Sequence, residues 1–228
     1  MKLKNGPKGC LLAFFLVFSL SSCQDKKLTV ACVGDSLIRP TPLYLRPLLA
    51  SSHIRIREYA QGGLSTATYL QFFHRHPRWR KERVDFILVQ LGTNDVSLLL
   101  KKEEDGAAFH RNLEALILEL KKLPGNFFRH PQLIIATAPP FYGLSDADER
   151  NHLIETIVNP TIKALAARHH LKLLDAAAIF HRHPELYEPD GVHPNREGEK
   201  ALARHWKRAI RDCWRQARQG IWAQPASD

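Results

Sequence analysis

The residues able to do chemistry stand in a few short strings. One is Gly34-Asp35-Ser36, at the end of the apolar run "LTVACVG". A serine there is a nucleophile if a base lies beside it, and a helix cap or turn residue if none does. Near the other end of the chain Asp190 precedes His193 by three positions in "PDGVHPN". A carboxylate so placed can accept from one imidazole nitrogen and leave the other free to take a hydroxyl proton. Gly62-Gly63 in "AQGGLST" and Asn94 in "LGTND" offer backbone and amide donors of the kind that hold a developing oxyanion. Each string also has a plain structural reading. Ser65, Thr66, Asn94, Asp95 and Asn195 all suit caps and turns. With 12 histidines in the chain, a lone His carries no weight.

Something must bring these strings together. Five short apolar runs recur: Leu28–Val33, Ile54–Tyr59, Val84–Leu91, Gln132–Ala138 and Leu171–Leu174. The third and fourth are almost continuously apolar, as in strands buried on both faces of a parallel sheet. Helical patterns separate them. "LYLRPLLASS" has leucines at helical spacing, and Phe109–Leu123 is amphipathic and stopped by Pro124-Gly125. "NHLIETIVNPTIKALAARHH" is helical with Pro160 kinking or dividing it. A last helical pattern runs from Asn195 to Trp214. The alternation predicts one doubly wound α/β domain with a five-stranded parallel sheet. Ligands of such sheets bind outside the carboxyl ends of the strands. GDS, the glycine pair and GTND each stand at such an end. A helix starting soon after Ser36 would bring its dipole to the hydroxyl.

The N-terminus reads differently from the body. Lys2, Lys4 and Lys8 precede the apolar run Cys10–Leu20, which is too short to span a bilayer as a helix. Leu20-Ser21-Ser22-Cys23 follows. Small residues before a cysteine at this point resemble a bacterial lipoprotein signal, which implies lipidation at Cys23. An ordinary secretory leader is the alternative. The expected layout is a leader over 1–22, the lipidated Cys23 with a tether over 23–27, a domain over 28–218 and a loosely ordered tail over 219–228. Loss of the leader lowers the formal charge of +10 by three, and the body stays basic. That favours anionic partners such as acidic glycans or lipid head groups, and export makes nucleic acid the least expected of them. Cys32 and Cys213 are expected as buried free thiols, and no CxxC or HxxxH pattern suggests a metal site.

In order and spacing, GDS at Ser36, the glycine block at Gly63, GTND at Asn94 and DGVHP at Asp190 and His193 resemble the SGNH/GDSL hydrolase family. The resemblance spans nearly the whole body and implies a single three-layer αβα, flavodoxin-like domain. It implies Ser36 as nucleophile, His193 as general base and Asp190 as the acid that orients it. It implies an oxyanion hole from the Ser36 and Gly63 N–H groups and the Asn94 amide, with no metal or organic cofactor. The family's glycine block reads roughly N-x-G-x-x-G; here Glu58 and Ala60 replace its first two fixed residues. "HPELYEPDGVHPNREG" and the "IVNPTIKALAARHHLKLLD" unit look most like bacterial carbohydrate O-acetylesterases, including the sialate type. The implied substrate is an acetyl ester on a sugar. A lysophospholipase or thioesterase would use the same triad, and a catalytically silent glycan-binding lipoprotein is a third reading. The basic stretch "FFHRHPRWRKER" reads as a solvated face, and Tyr142 as a residue of the cleft rim or of the packing beneath it.

Overall fold

A computed structural model of the chain describes residues 27–50 and 53–218. The expected leader over 1–22, Cys23 and the expected tail over 219–228 lie outside the described residues. The order is β1 (Leu28–Gly34), α1 (Thr41–Leu49), β2 (Ile54–Ala60), α2 (Thr66–Arg75), β3 (Phe86–Gln90), α3 (Thr93–Leu100), α4 (Gly106–Lys121), β4 (Gln132–Ala136), α5 (Ala147–Leu153), α6 (Asn159–Arg168), β5 (Lys172–Leu174), α7 (Ala176–Phe180) and α8 (Arg196–Arg218). The five strands lie in the order β2-β1-β3-β4-β5, and every pairing is parallel.

The strands are apolar throughout because both of their faces are covered. Val30 and Cys32 of β1, Phe86 and Leu88 of β3 and Ile134 and Ala136 of β4 pack with α1, α7 and α8. Their alternates Ala31, Val33, Ile87, Val89 and Ile135 pack with α2, α3, α4 and α6. This is the period of two expressed as two cores. Each fully buried aliphatic side chain contributes about 1.5–3 kcal/mol. Cys32 and Cys213 are buried free thiols in the α8-side core, as their apolar surroundings in the sequence suggest.

Element ends depart from the sequence reading for identifiable reasons. The apolar run from Val84 enters the strand only at Phe86, because Asp85 is fully buried and spends its carboxylate on backbone donors. Its Oδ2 accepts from the Thr29 N–H at 2.9 Å, and its Oδ1 from the Asn126 and Phe127 N–H groups, each at 2.8 Å. The helix after GDS starts only at Thr41, so no helix N-terminus lies at Ser36. The Asp35 side chain turns the chain there instead, accepting from the Leu37 N–H at 2.9 Å. The Pro160 helix is divided: α5 and α6 flank one π-helical segment, Ile154–Val158, and Pro160 sits in the first turn of α6. The last helix runs past Trp214 to Arg218.

Two more carboxyl groups are sealed beneath the carboxyl ends of the strands. Asp95 takes the Thr66 hydroxyl at 2.6 Å and the Thr66 N–H at 2.9 Å, which ties α3 to the start of α2. Asp35 is wholly buried, and burial pushes its carboxyl up to about 7; the Leu37 N–H opposes this and the nearby Asp95 adds to it. The unfolded chain ionises the same group near pH 4. Between about pH 4 and 7 the native state therefore holds a proton that the unfolded state has lost, and stability falls as pH rises through that window. Asp35→Asn removes this titration. In thermal unfolding, the wild type should lose ground to Asp35→Asn from about pH 4 to about pH 7 and level off above it; a difference independent of pH would contradict the buried, raised carboxyl.

Candidate active site

Ser36 sits just past β1 at the carboxyl end of the sheet. Gly34, the last residue of β1, lies opposite both Ala60 and Gln90. A Cβ on Gly34 would stand 1.9 Å from the Gln90 carbonyl oxygen, so only glycine lets β1 leave the sheet this tightly. The Asp35 N–H donates to that same carbonyl at 3.2 Å. Ser36 is left partly exposed while Asp35 and Leu37 on either side are buried.

His193 reaches Ser36 from the loop before α8. Its Nε2 lies 2.9 Å from Ser36 Oγ, and its Nδ1 lies 2.6 Å from Asp190 Oδ2. The other Asp190 oxygen accepts from the Val192 and His193 N–H groups, each at 2.9 Å. Partial burial pushes the Asp190 carboxyl up, but the bonds from the His193 N–H and ring and from the Val192 N–H outweigh it and hold it below the usual carboxylate range. The acid is thus ionised and locked to its own loop. The loop is locked in turn. Gly191 has φ +64°, and a Cβ on it would strike the Tyr142 carbonyl oxygen, whose neighbouring N–H donates to the Gly191 carbonyl at 2.9 Å. On the far side Asn195 caps α8, accepting from the Glu197 and Gly198 N–H groups.

The other two strings stand beside the serine. A Cβ on Gly62 would lie 3.6 Å from Ser36 Cβ, and Gly63 is exposed next to it with φ +77°. Among the described residues neither the Ser36 nor the Gly63 N–H meets an acceptor in the protein. Asn94 Nδ2 donates to the Leu64 carbonyl at 3.1 Å and, more weakly, to Asp35 Oδ2 at 3.4 Å. This keeps its amide between the serine turn and the glycine loop. Glu58 and Ala60, the departures in the glycine block, belong to β2; Ala60 ends the strand in regular pairing with Gly34, so no glycine is needed there.

The structure brings Ser36, Gly63, Asn94, Asp190 and His193 to one place. Such a chain can pass a proton from Ser36 Oγ to His193 Nε2 while Asp190 steadies the charged ring. Of the structural readings, Ser65 does cap α2, in a capping box with Thr68, and Asn195 caps α8. Ser36 caps nothing. Asn94 and Asp95 do not cap α3, whose cap position is Gly92. Asp35 also contacts Asn94, and its place between Gly34 and Ser36 is the only sign of this in the sequence. Tyr142 belongs to the packing: its hydroxyl donates to the Phe180 carbonyl at 3.0 Å and accepts from the Arg182 N–H at 2.8 Å. The basic stretch is partly structural, with Arg83 Nε on the Gly125 carbonyl at 3.0 Å and Arg80 over the Phe73 ring.

Comparison with known proteins fits this geometry. No curated protein sequence matches the chain. The fold is shared with a lipase/acylhydrolase from Enterococcus faecalis, 20% identical with a TM-score of 0.68, covering 82% of this chain and 96% of that one. It is shared with an acetylxylan esterase from Geobacillus stearothermophilus, 19% identical with a TM-score of 0.65, covering 80% and 94%. An aryl esterase from M. smegmatis, 14% identical with a TM-score of 0.62, covers 81% and 99%. The model of the GDSL-like lipase/acylhydrolase family matches residues 30–201, from β1 into α8 and through all four strings. The chain belongs to the GDSL-like lipase/acylhydrolase family, and with it to the ester-hydrolysing enzymes.

Proposed function

We propose that the protein removes O-acetyl or other short acyl groups from carbohydrates through an acyl-enzyme on Ser36. The observation that carries the reading is the Asp190–His193–Ser36 chain at an open site: the Asp190 and His193 side chains keep 49% and 44% of their surface exposed. An uncovered site suits a small acyl group on a large, hydrated leaving group. The acetylxylan esterase with the same fold acts on such a substrate, and forms of it with a serine or a histidine replaced by alanine are described as catalytic mutants. The basic body favours an acidic glycan, which agrees with the resemblance to sialate-type O-acetylesterases.

Ser36 Oγ attacks the ester carbonyl as His193 Nε2 takes its proton. The Ser36 and Gly63 N–H groups and one Asn94 amide proton receive the oxyanion. The weak 3.4 Å contact to Asp35 is the one Asn94 gives up; the bond to Leu64 holds the amide in place. His193 then protonates the sugar oxygen, which leaves. A water, deprotonated by His193, attacks the acyl-serine; acetate departs and the proton returns to Ser36.

The protein is also proposed to be exported and lipid-anchored at Cys23, on the periplasmic or surface side of a bacterial membrane. The leader and Leu20-Ser21-Ser22-Cys23 support this.

Initial rates on p-nitrophenyl acetate, p-nitrophenyl palmitate and an acetylated glycan test the substrate. The acetyl esters should be cleaved and the palmitate poorly; a palmitate preference would favour a lipid esterase, and no turnover would leave a glycan-binding protein. Ser36→Ala should lower kcat at least about a thousandfold. Asn94→Ala should lower it by about 10²–10³. Full activity in Ser36→Ala would refute the nucleophile. Cys23→Ala should release the protein from membranes washed at high salt, which strips a peripheral electrostatic contact, whereas unchanged fractionation after that wash would rule out lipidation there.

A further inference from the structure

The pole opposite Ser36, at the amino ends of the strands, has a surface of a different kind. A cavity of about 560 Å³ opens there between α1, the starts of β1 and β2 and the last turns of α8. Leu28, Leu49, Ile54, Phe127, Ile210 and Trp214 supply its apolar lining. Phe127 is 47% exposed, and its ring stands 5.8 Å from that of Trp214. Lys207, Arg211, Arg215 and His53 are its polar lining, and no carboxylate takes part. Lys207 and Arg211 have no ion pair among the described residues; Arg215 has only a loose one, 3.8 Å from Asp212 Oδ1. Apolar and aromatic groups beside a row of cations on α8 match the interface of a bilayer with anionic head groups, where aromatic rings sit at head-group depth and basic residues are drawn to the surface.

Two further facts single out a membrane as the occupant. Leu28 lines the cavity, and the chain that precedes it is basic through Lys26 and Lys27. Even without the three lysines of the leader, which lower the formal charge of +10 by three, the chain is basic, and this draws it to an anionic surface before contact. Among the described residues no helix is long and apolar enough to cross a membrane, so the contact is a peripheral one.

We propose that this pole is a docking surface for an anionic phospholipid membrane. The seven residues of β1, at about 3.3 Å each, separate the two ends of the sheet by roughly 20 Å. Docking at the amino ends then turns Ser36 away from the bilayer, toward soluble or polymeric esters. The surface acts whether or not Cys23 is lipidated; a lipid there would hold the same pole down.

The test uses the unlipidated chain from Gln24 onward, which carries every element of the fold. It is sedimented with phosphatidylcholine vesicles and with vesicles that also contain phosphatidylglycerol. Binding should require phosphatidylglycerol. The triple variant Lys207→Glu, Arg211→Glu, Arg215→Glu should bind at least about a hundredfold more weakly. Phe127→Ala, with no change of charge, should weaken binding more modestly. Both variants should keep the wild-type rate on p-nitrophenyl acetate, which also shows them folded. Equal binding to both vesicle types, or undiminished binding by the triple variant, would overturn the proposal. So would a wild-type dimer in sedimentation analysis that the triple variant loses, since the pole would then be a self-interface. Vesicle binding by a protein without esterase activity would uphold the docking surface while refuting the proposed function.

Discussion

Three loops leave three neighbouring strands, and two carboxyl groups that never meet water tie them together. Asp35 turns the chain at Ser36 and receives the Asn94 amide; Asp95 receives Thr66 from the far side of the glycine block. Burying carboxyl groups is costly unless hydrogen bonds satisfy them or a proton neutralises them. Here both happen: Asp95 is met by a hydroxyl and an N–H, and Asp35 is raised toward neutrality. The cost is accepted where it fixes Ser36, the Gly63 N–H and Asn94 at the same carboxyl end of the sheet. A site assembled from separate strand ends needs such ties, because the sheet fixes where each strand stops but not which way its loop turns.

The Asp190–His193 pair follows a different logic. Acid and base come from one short loop, so their mutual geometry is local and is set by backbone N–H bonds to the same carboxylate. What has to be arranged at long range is the position of the loop as a whole. The close approach of Gly191 to Tyr142 and the Asn195 cap on α8 do this from either side. The exposed acid stays ionised through its donors, while buried Asp35 is driven toward its neutral form. Two carboxyl groups of one site are thus set apart by their surroundings.

Much of this was legible in the sequence. The strands were, because burial on both faces makes them apolar from end to end. The site strings were, because their residue types sit where a parallel sheet places its ligands. Strand ends were less so: β3 begins only after Asp85, whose carboxylate meets donors from β1 and from the loop before β4, far off in the chain. The late start of α1 was hidden for a similar reason, since Asp35 bonds the Leu37 N–H and takes the place of a helix cap. Pro160 announced a break but not its form, a π-helical segment between two α-helices. The tie between Thr66 and Asp95 spans 29 positions and leaves no periodicity to read. The basic lining of the far pole was visible only as a net charge until the fold put Lys207, Arg211 and Arg215 around one cavity.

The central claim is that Ser36, activated by His193, carries the acyl group. Labelling with a fluorophosphonate followed by peptide mapping tests it most directly. A single adduct on Ser36, formed far more slowly in His193→Ala, is the predicted result. An adduct on another residue, or an unlabelled Ser36 in folded wild-type protein, would contradict it.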